Sequence, residues 1–240
     1  MSNNFEVYLG DCVQVLSSMA DGSVDLVVTD PPYFLPAQHY ATRKKFPRSL
    51  SDLSMLEFFY AEVFKQLARV LKPSGSIYMF CDGQSYPVFF SLGYRMAKSQ
   101  RPIIWDKQVA INGYAWRHQY EMIYYAEMDE TPAIPTGDGD IIRYRAVAVD
   151  DRDHPAEKPV GLLRKLIDKS TQPGQKVLDP FTGSGSCGEA CAEIGRYFIG
   201  IEREKDYYDL AKERIENAYR TKISKSHRAQ EIPLFSGLGG

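Results

Sequence analysis

The stretch VDLVVTDPPY at residues 24–33 decides the fold. Val24–Thr29 is a continuous, β-branched apolar run, and such a run reads as a strand covered on both faces in a largely parallel sheet. It stops at Asp30-Pro31-Pro32-Tyr33, where neither proline can donate to a sheet ladder. Working outward, strands and helices alternate. Phe5–Leu9 reads as a short strand, followed by the turn Gly10-Asp11 and an amphipathic stretch to Met19. Ser51–Leu71 reads as the longest helix, with Leu53, Leu56, Phe59 or Tyr60, Val63, Leu67 and Val70 recurring at three- and four-residue steps. Lys72-Pro73-Ser74-Gly75 stops it. Further strands are expected at Ser76–Phe80, Ile103–Trp105, Glu121–Ala126, Lys176–Asp179 and Tyr197–Ile201. Helices are expected at Tyr86–Met96, Val160–Ser170, Cys187–Ile194 and Lys205–Tyr219. This alternation predicts an α/β protein with a mostly parallel sheet.

Composition narrows the function classes. A chain of 240 residues corresponds to roughly one to two domains. Lys and Arg number 29 against 31 Asp and Glu, a formal net charge of −2. A near-neutral chain has no overall basic field, so a polyanion must be held by local patches. Two such patches stand out. Arg43, Lys44, Lys45 and Arg48 lie in the stretch 34–50 among no acids, and Arg220, Lys222, Lys225 and Arg228 lie where no acid occurs from Asn217 to Gln230. A hydrophobic content of 44% with 25% charged residues is that of a globular protein rather than a disordered one. No apolar run approaches the roughly 18 residues of a membrane span, and Met1–Glu6 has no signal-peptide character. Cys12, Cys81, Cys187 and Cys191 form no CxxC pair and have no histidine at zinc-site spacing, so no metal site is expected. They read as small core residues of a protein in the reducing cytoplasm.

The second informative stretch is VLDPFTGSGS at 177–186, a strand, a glycine-rich turn and a helix start. Glycines let a backbone approach a ligand closely, and a helix N-terminus offers unpaired N–H groups. Glu202 directly follows the strand Phe198–Ile201, where an acid suits a pair of ribose hydroxyls. This layout serves a nucleotide, a dinucleotide or S-adenosylmethionine equally well, and a tight strand-to-helix turn alone would also explain the glycines.

Asp30-Pro31-Pro32-Tyr33 leaves the carboxyl end of a buried strand, the edge at which open α/β sheets bind ligands. It carries a carboxylate, a fixed carbonyl and an aromatic face. These parts answer one chemical problem. The exocyclic amine of a nucleobase is a poor nucleophile because its lone pair is delocalised into the ring. Asp30 and the Pro31 carbonyl could accept its two N–H bonds, favouring a pyramidal nitrogen whose lone pair faces an electrophile. Tyr33 could stack on the base, and the prolines hold the turn ready. A rigid strand-end turn without chemistry is the competing reading.

Taken together, LGD at 9–11, VDLVVTDPPY at 24–33, RVLKPSGSIYMF at 69–80, HPAEKP at 154–159, VLDPFTGSGS at 177–186 and FIGIE at 198–202 resemble the β-class amino-group DNA methyltransferases, in the family's order and over nearly the whole chain. The resemblance implies a Rossmann-like methyltransferase fold with circularly permuted motif order, a mostly parallel sheet and helices on both faces. It implies one domain over residues 1–220, with 34–50 and about 107–149 as a DNA-facing loop and a small target-recognition region, and 221–240 as a tail. Asp30, Pro31, Pro32 and Tyr33 would be the catalytic motif. Asp179, Phe181, Thr182, Gly183, Ser184 and Gly185 would form the S-adenosylmethionine loop, and Glu202 would hold the donor's ribose. Lys158 would pair with the donor's carboxylate and Asp11 would sit beside its adenine, against the plainer readings of a solvated lysine and a turn-forming aspartate. Arg43, Lys44, Lys45, Arg48 and His118 would face DNA. Trp105, Tyr114, Trp116, Tyr120, Tyr124 and Tyr125 are either base-stacking or core residues.

The implied activity is methylation of the N6 amine of adenine in a specific duplex DNA sequence after base flipping. The aspartate form of the motif is typical of adenine enzymes, whereas a serine leans to cytosine N4, the alternative. A non-catalytic or RNA-directed nucleic-acid-binding module on the same fold is a more distant reading. A nicotinamide oxidoreductase is disfavoured, because nothing supplies a hydride-transfer acid or base. Double-stranded DNA is the expected partner, with room for a homodimer or a cognate restriction endonuclease and none for a membrane.

Overall fold

The computed structural model describes residues 4–32, 53–109, 116–132, 137–147 and 157–230. Tyr33, the basic stretch with Arg43, Lys44, Lys45 and Arg48, and Tyr114 lie outside the described residues. The elements in chain order are β1 (Phe5–Leu9), α1 (Cys12–Ser18), β2 (Val24–Thr29), α2 (Leu53–Val70), β3 (Leu71–Cys81), α3 (Tyr86–Gly93), β4 (Ser99–Asp106), β5 (Tyr120–Glu127), β6 (Ile141–Arg143), α4 (Val160–Ser170), β7 (Lys176–Asp179), α5 (Ser186–Ile194), β8 (Tyr197–Glu202) and α6 (Lys205–Gln230).

The strands form one sheet in the order β1-β8-β7-β2-β3-β5-β4-β6. Pairing is parallel from β1 through β3, antiparallel on both sides of β5, and parallel again between β4 and β6. Only β5 therefore runs against the others. Side chains alternate between two apolar layers, as the period of two requires. Ile77, Met79 and Cys81 of β3 pack with Leu16 of α1, Tyr60 and Leu67 of α2 and Phe89 of α3. Tyr78 and Phe80 of the same strand pack with Leu166 of α4, Cys191 of α5 and Ile215 of α6 on the opposite face. The expected fold, a mostly parallel sheet with helices on both faces, is the one observed. All four cysteines are buried and free, and no helix among the described residues is long and apolar enough to cross a membrane.

Several boundaries differ from the sequence reading: β4 begins at Ser99 rather than Ile103, and α6, with 26 residues against the 18 of α2, is the longest helix among the described residues. β3 begins at Leu71, which pairs with Val24 before Lys72–Gly75 loops out and the ladder resumes at Ser76 opposite Leu26. The proline and glycine ended the helix as expected, but within a bulge rather than before the strand. α3 stops at Gly93, short of Met96. α6 continues past Tyr219 to Gln230, so the basic residues of the expected tail from Arg220 to Arg228 belong to a helix.

The glycine-rich turn is fixed by the packing beneath it. Gly185 caps α5 at φ +84°, and a Cβ there would lie 2.9 Å from the Ala211 Cα of α6. Gly22 also has positive φ, +58°, but nothing lies within 4 Å of its added Cβ. Both positions strain an L side chain by about 1–2 kcal/mol, and only Gly185 adds a backbone collision. Gly185→Ala is therefore expected to destabilise the fold by more than about 2 kcal/mol, and Gly22→Ala by about 1. Urea unfolding of the two variants distinguishes them, and equal losses would contradict the close α5–α6 approach.

Candidate active site

The carboxyl ends of β2 and β7 lie side by side, since Leu26 pairs with Val177 and Val27 with Leu178. The Thr29 hydroxyl donates to Asp179 Oδ1 at 2.6 Å across this seam. The Phe181 amide donates to the same oxygen at 3.1 Å. Burial nevertheless dominates and pushes the Asp179 carboxyl up to about 7. The Asp-Pro-Pro turn and the glycine turn thus leave neighbouring strands and face one pocket, lined by Asp30, Phe80, Lys158, Phe181, Gly183 and Ser184 among others.

Two acids of the stretch at 24–33 show what each end of β2 is for. Asp25, at the amino end, is buried and has donors on both oxygens: Oδ1 accepts from Lys72 Nζ and Gln175 Nε2, and Oδ2 accepts from the Lys176 amide. It ties β2 to β3 and β7. Asp30, at the carboxyl end, is held on one oxygen only. Oδ2 accepts from Lys158 Nζ at 2.6 Å, while Oδ1 is buried with no hydrogen-bond partner among the described residues. A bare buried acceptor is costly and marks a place where a donor is to arrive. Burial raises the Asp30 carboxyl to about 6, against the pull of Lys158 and with a further push from Glu121. The turn itself is pinned from α2, where the Tyr60 hydroxyl donates to the Pro32 carbonyl.

The glycine turn is built around Glu202. Its Oε2 accepts from the Gly183 amide at 2.9 Å, and its Oε1 accepts from the Arg203 and Glu204 amides at 2.8 and 2.9 Å. Three donors leave lone-pair capacity on a carboxylate that offers about four sites. Gly183 sits at φ +54° with open space on its Cβ side beyond its own loop. Thr182 is locked inward, its amide on the Ile201 carbonyl and its hydroxyl on the Asp179 carbonyl. Ser184 meets Arg214, which also pairs with Glu157 and Glu189. A glycine turn, a carboxylate with spare acceptor capacity and an aromatic wall at Phe181 fit an adenosine-type ligand.

The other expected residues fall in different places. Asp11 is the N-cap of α1, with Oδ1 accepting from the Val13 and Gln14 amides. That is its turn-forming role, although its neighbour Gly10 bonds to the Glu202 carbonyl at the rim of the site. Lys158 is buried and bonded to Asp30 and Glu121, rather than solvated. His118 lies on the exposed stretch from Trp116 to Tyr120. The aromatic stripe divides: Trp105, Tyr124 and Tyr125 are core, whereas Trp116 is 89% exposed and Tyr120 54%. Sequence reasoning passed over Tyr60 and Glu121 as site residues. Tyr60 reads as one more apolar step of a helix. An acid at the start of the otherwise uncharged run EMIYYA at 121–126 was the available signal for Glu121, because a charge on a buried strand needs a partner.

Comparison with known proteins agrees with this geometry. A family model described as DNA methylase, covering N6 and N4 enzymes, matches residues 24–213. The type II methyltransferase M2.MboI of Moraxella bovis is 28% identical over 92% of this chain and 94% of its own. The PvuII DNA methyltransferase, described as cytosine-N4-specific, shares the fold with a TM-score of 0.73 at 18% identity, over 93% of this chain and 94% of its own. M1.HpyAVI, solved as a SAM complex, superposes with a TM-score of 0.66 at 22% identity, over 88% of this chain and 99% of its own. The strand that carries Asp30 and the strand that carries the glycine turn both fall within the matched span, and the chain belongs to the N6/N4 DNA methylase family.

Proposed function

We propose that the protein transfers a methyl group from S-adenosylmethionine to the N6 amine of an adenine flipped out of duplex DNA. The observation that carries this reading is Asp30 Oδ1, a buried acceptor without a partner among the described residues, at the pocket it shares with the glycine turn. S-adenosylmethionine supplies an electrophilic methyl group on a sulfonium. Gly183 and Glu202 hold its adenosine portion, and Phe181 walls the pocket. Asp30 Oδ1 accepts one N–H of the target amine and the Pro31 carbonyl the other, so that the nitrogen lone pair turns toward the methyl. The proton displaced as the N–C bond forms leaves toward Asp30 Oδ1, whose raised carboxyl suits that acceptance near neutral pH. Tyr33 stacks on the extruded base. The cysteines take no part, being buried in the core. The aspartate at position 30 favours adenine, and exposed Trp116 and Tyr120, at the amino end of β5 and so on the same edge of the sheet as Asp30, suit a DNA-facing surface.

Two substitutions separate the roles. Asp30→Ala is expected to keep S-adenosylmethionine affinity within about threefold yet to lose nearly all methyl transfer, while Glu202→Ala weakens donor binding, since it removes acceptors from hydroxyls. Calorimetric donor binding beside a methylation assay checks this, and the reverse pattern would overturn the assignment. Nucleoside analysis of DNA methylated by the protein should give N6-methyladenine, and N4-methylcytosine alone would establish the cytosine reading instead. Replacing Arg43, Lys44, Lys45 and Arg48 together by Ala should weaken DNA binding and reduce the slope of log affinity against log salt by about 0.9 for every phosphate the loop no longer neutralises. An unchanged slope would assign phosphate binding to the basic end of α6.

A further inference from the structure

Four charges of alternating sign lie in one row at the carboxyl edge of the sheet. Lys107, just after β4, places Nζ 2.8 Å from Glu121 Oε2. Glu121, on β5, places Oε1 2.9 Å from Lys158 Nζ. Lys158, just before α4, reaches Asp30 Oδ2 at 2.6 Å. Glu121 and Lys158 are 7% and 6% exposed at the side chain, and the Lys158 ammonium stands 5.0 Å from the Phe80 ring centre. Asp30 and Lys158 line the pocket, whereas Glu121 and Lys107 do not. Burying such a row is costly, and apolar side chains would fill the space at least as stably. What apolar side chains cannot do is fix the orientation of a carboxylate on a neighbouring strand.

We propose that Glu121, acting through Lys158, is a positioning residue for methyl transfer. Clamped between Glu121 and Asp30, the Lys158 ammonium saturates Asp30 Oδ2 and leaves Oδ1 turned to the acceptor amine. Lys107 braces Glu121 from behind. This assigns Lys158 to the acceptor side of the site rather than to the donor's carboxylate, and it rests on the reading of Asp30 given above. The coupling has a sign that can be read. Charged and titratable groups reach Asp30 from several elements: Lys158 and Lys107 favour its ionised form, Glu121 opposes it, and Asp179, Tyr60 and Cys81 also couple to it. Removing Glu121 therefore lowers the Asp30 pKa and removing Lys158 raises it. Activity that needs ionised Asp30 is lost as pH falls through that pKa.

The test uses Glu121→Gln, Lys158→Met and Glu121→Asp in the full chain. Glu121→Gln should lower kcat by about 10- to 100-fold, with KM for S-adenosylmethionine and DNA little changed and the acid limb moved to lower pH. Lys158→Met should move that limb to higher pH. Glu121→Asp keeps the buried charge, and with it the fold, but draws the carboxylate back by one bond; its kcat should fall about tenfold with the limb little moved. Carbon-13 NMR of the Asp30 carboxyl in the protein without substrates should show the same opposite shifts. That titration stands even where the wild type methylates no DNA, an outcome that would sink the functional reading and not the coupling. Wild-type kcat in Glu121→Asp, limb shifts of the same sign in Glu121→Gln and Lys158→Met, or a raised KM for S-adenosylmethionine with unchanged kcat in Lys158→Met would each overturn the proposal.

Discussion

The site depends on the parallel seam between β2 and β7. Parallel neighbours present their carboxyl ends at one edge, so the two turns that leave them meet however far apart they lie in the chain. Their onward connections then diverge. β2 leads through α2 to β3 on one side, and β7 leads through α5 to β8 on the other. The helices follow opposite faces, α2 in the layer with Leu16 and Phe89 and α5 in the layer with Leu166 and Ile215. A crevice must open where connections part in this way, and open α/β sheets bind their ligands there. The Thr29–Asp179 hydrogen bond keeps the two strand ends from drifting apart beneath it.

Within that crevice the electrostatics divide by edge. Asp25 has donors on both oxygens and serves cohesion, while Asp30, five residues on, is satisfied on one side and, among the described residues, bare on the other. Between these two acids it is satisfaction oxygen by oxygen that differs. Glu202, at the rim of the glycine turn, has the same three-donor pattern as Asp25 and differs from it in being part-exposed, where a further donor can reach it.

Features that local geometry encodes were legible from the residues. Glycines and prolines announced both turns, and β-branched runs located β2, β7 and β8 to within a residue. Features that depend on a partner were not. Leu71 joins β3 because it meets Val24, which no pattern within Lys72–Gly75 could foretell. The last eleven residues of α6 carry good helix formers but little apolar pattern, and periodicity reads burial rather than helicity. Lys158 reads in sequence as a partner for the donor's carboxylate or else a solvated lysine, and only the register of β5 against β3 and β4 brings Glu121 beneath it. Tyr60 was legible as core and not as the donor that pins Pro32.

The edge strand has a consequence for biogenesis. β1, the earliest of the described strands, pairs among them with β8 alone, Phe5 lying against Phe198 and Leu9 against Glu202. During translation this ladder cannot form until residues 197–202 have left the ribosome. Ladders between chain ends are slow to close, because their loop entropy is lost before any pairing compensates. Closure of the sheet at β1 therefore waits for β8, and a chain stopped before β7 holds the Asp-Pro-Pro turn without the glycine turn and Glu202.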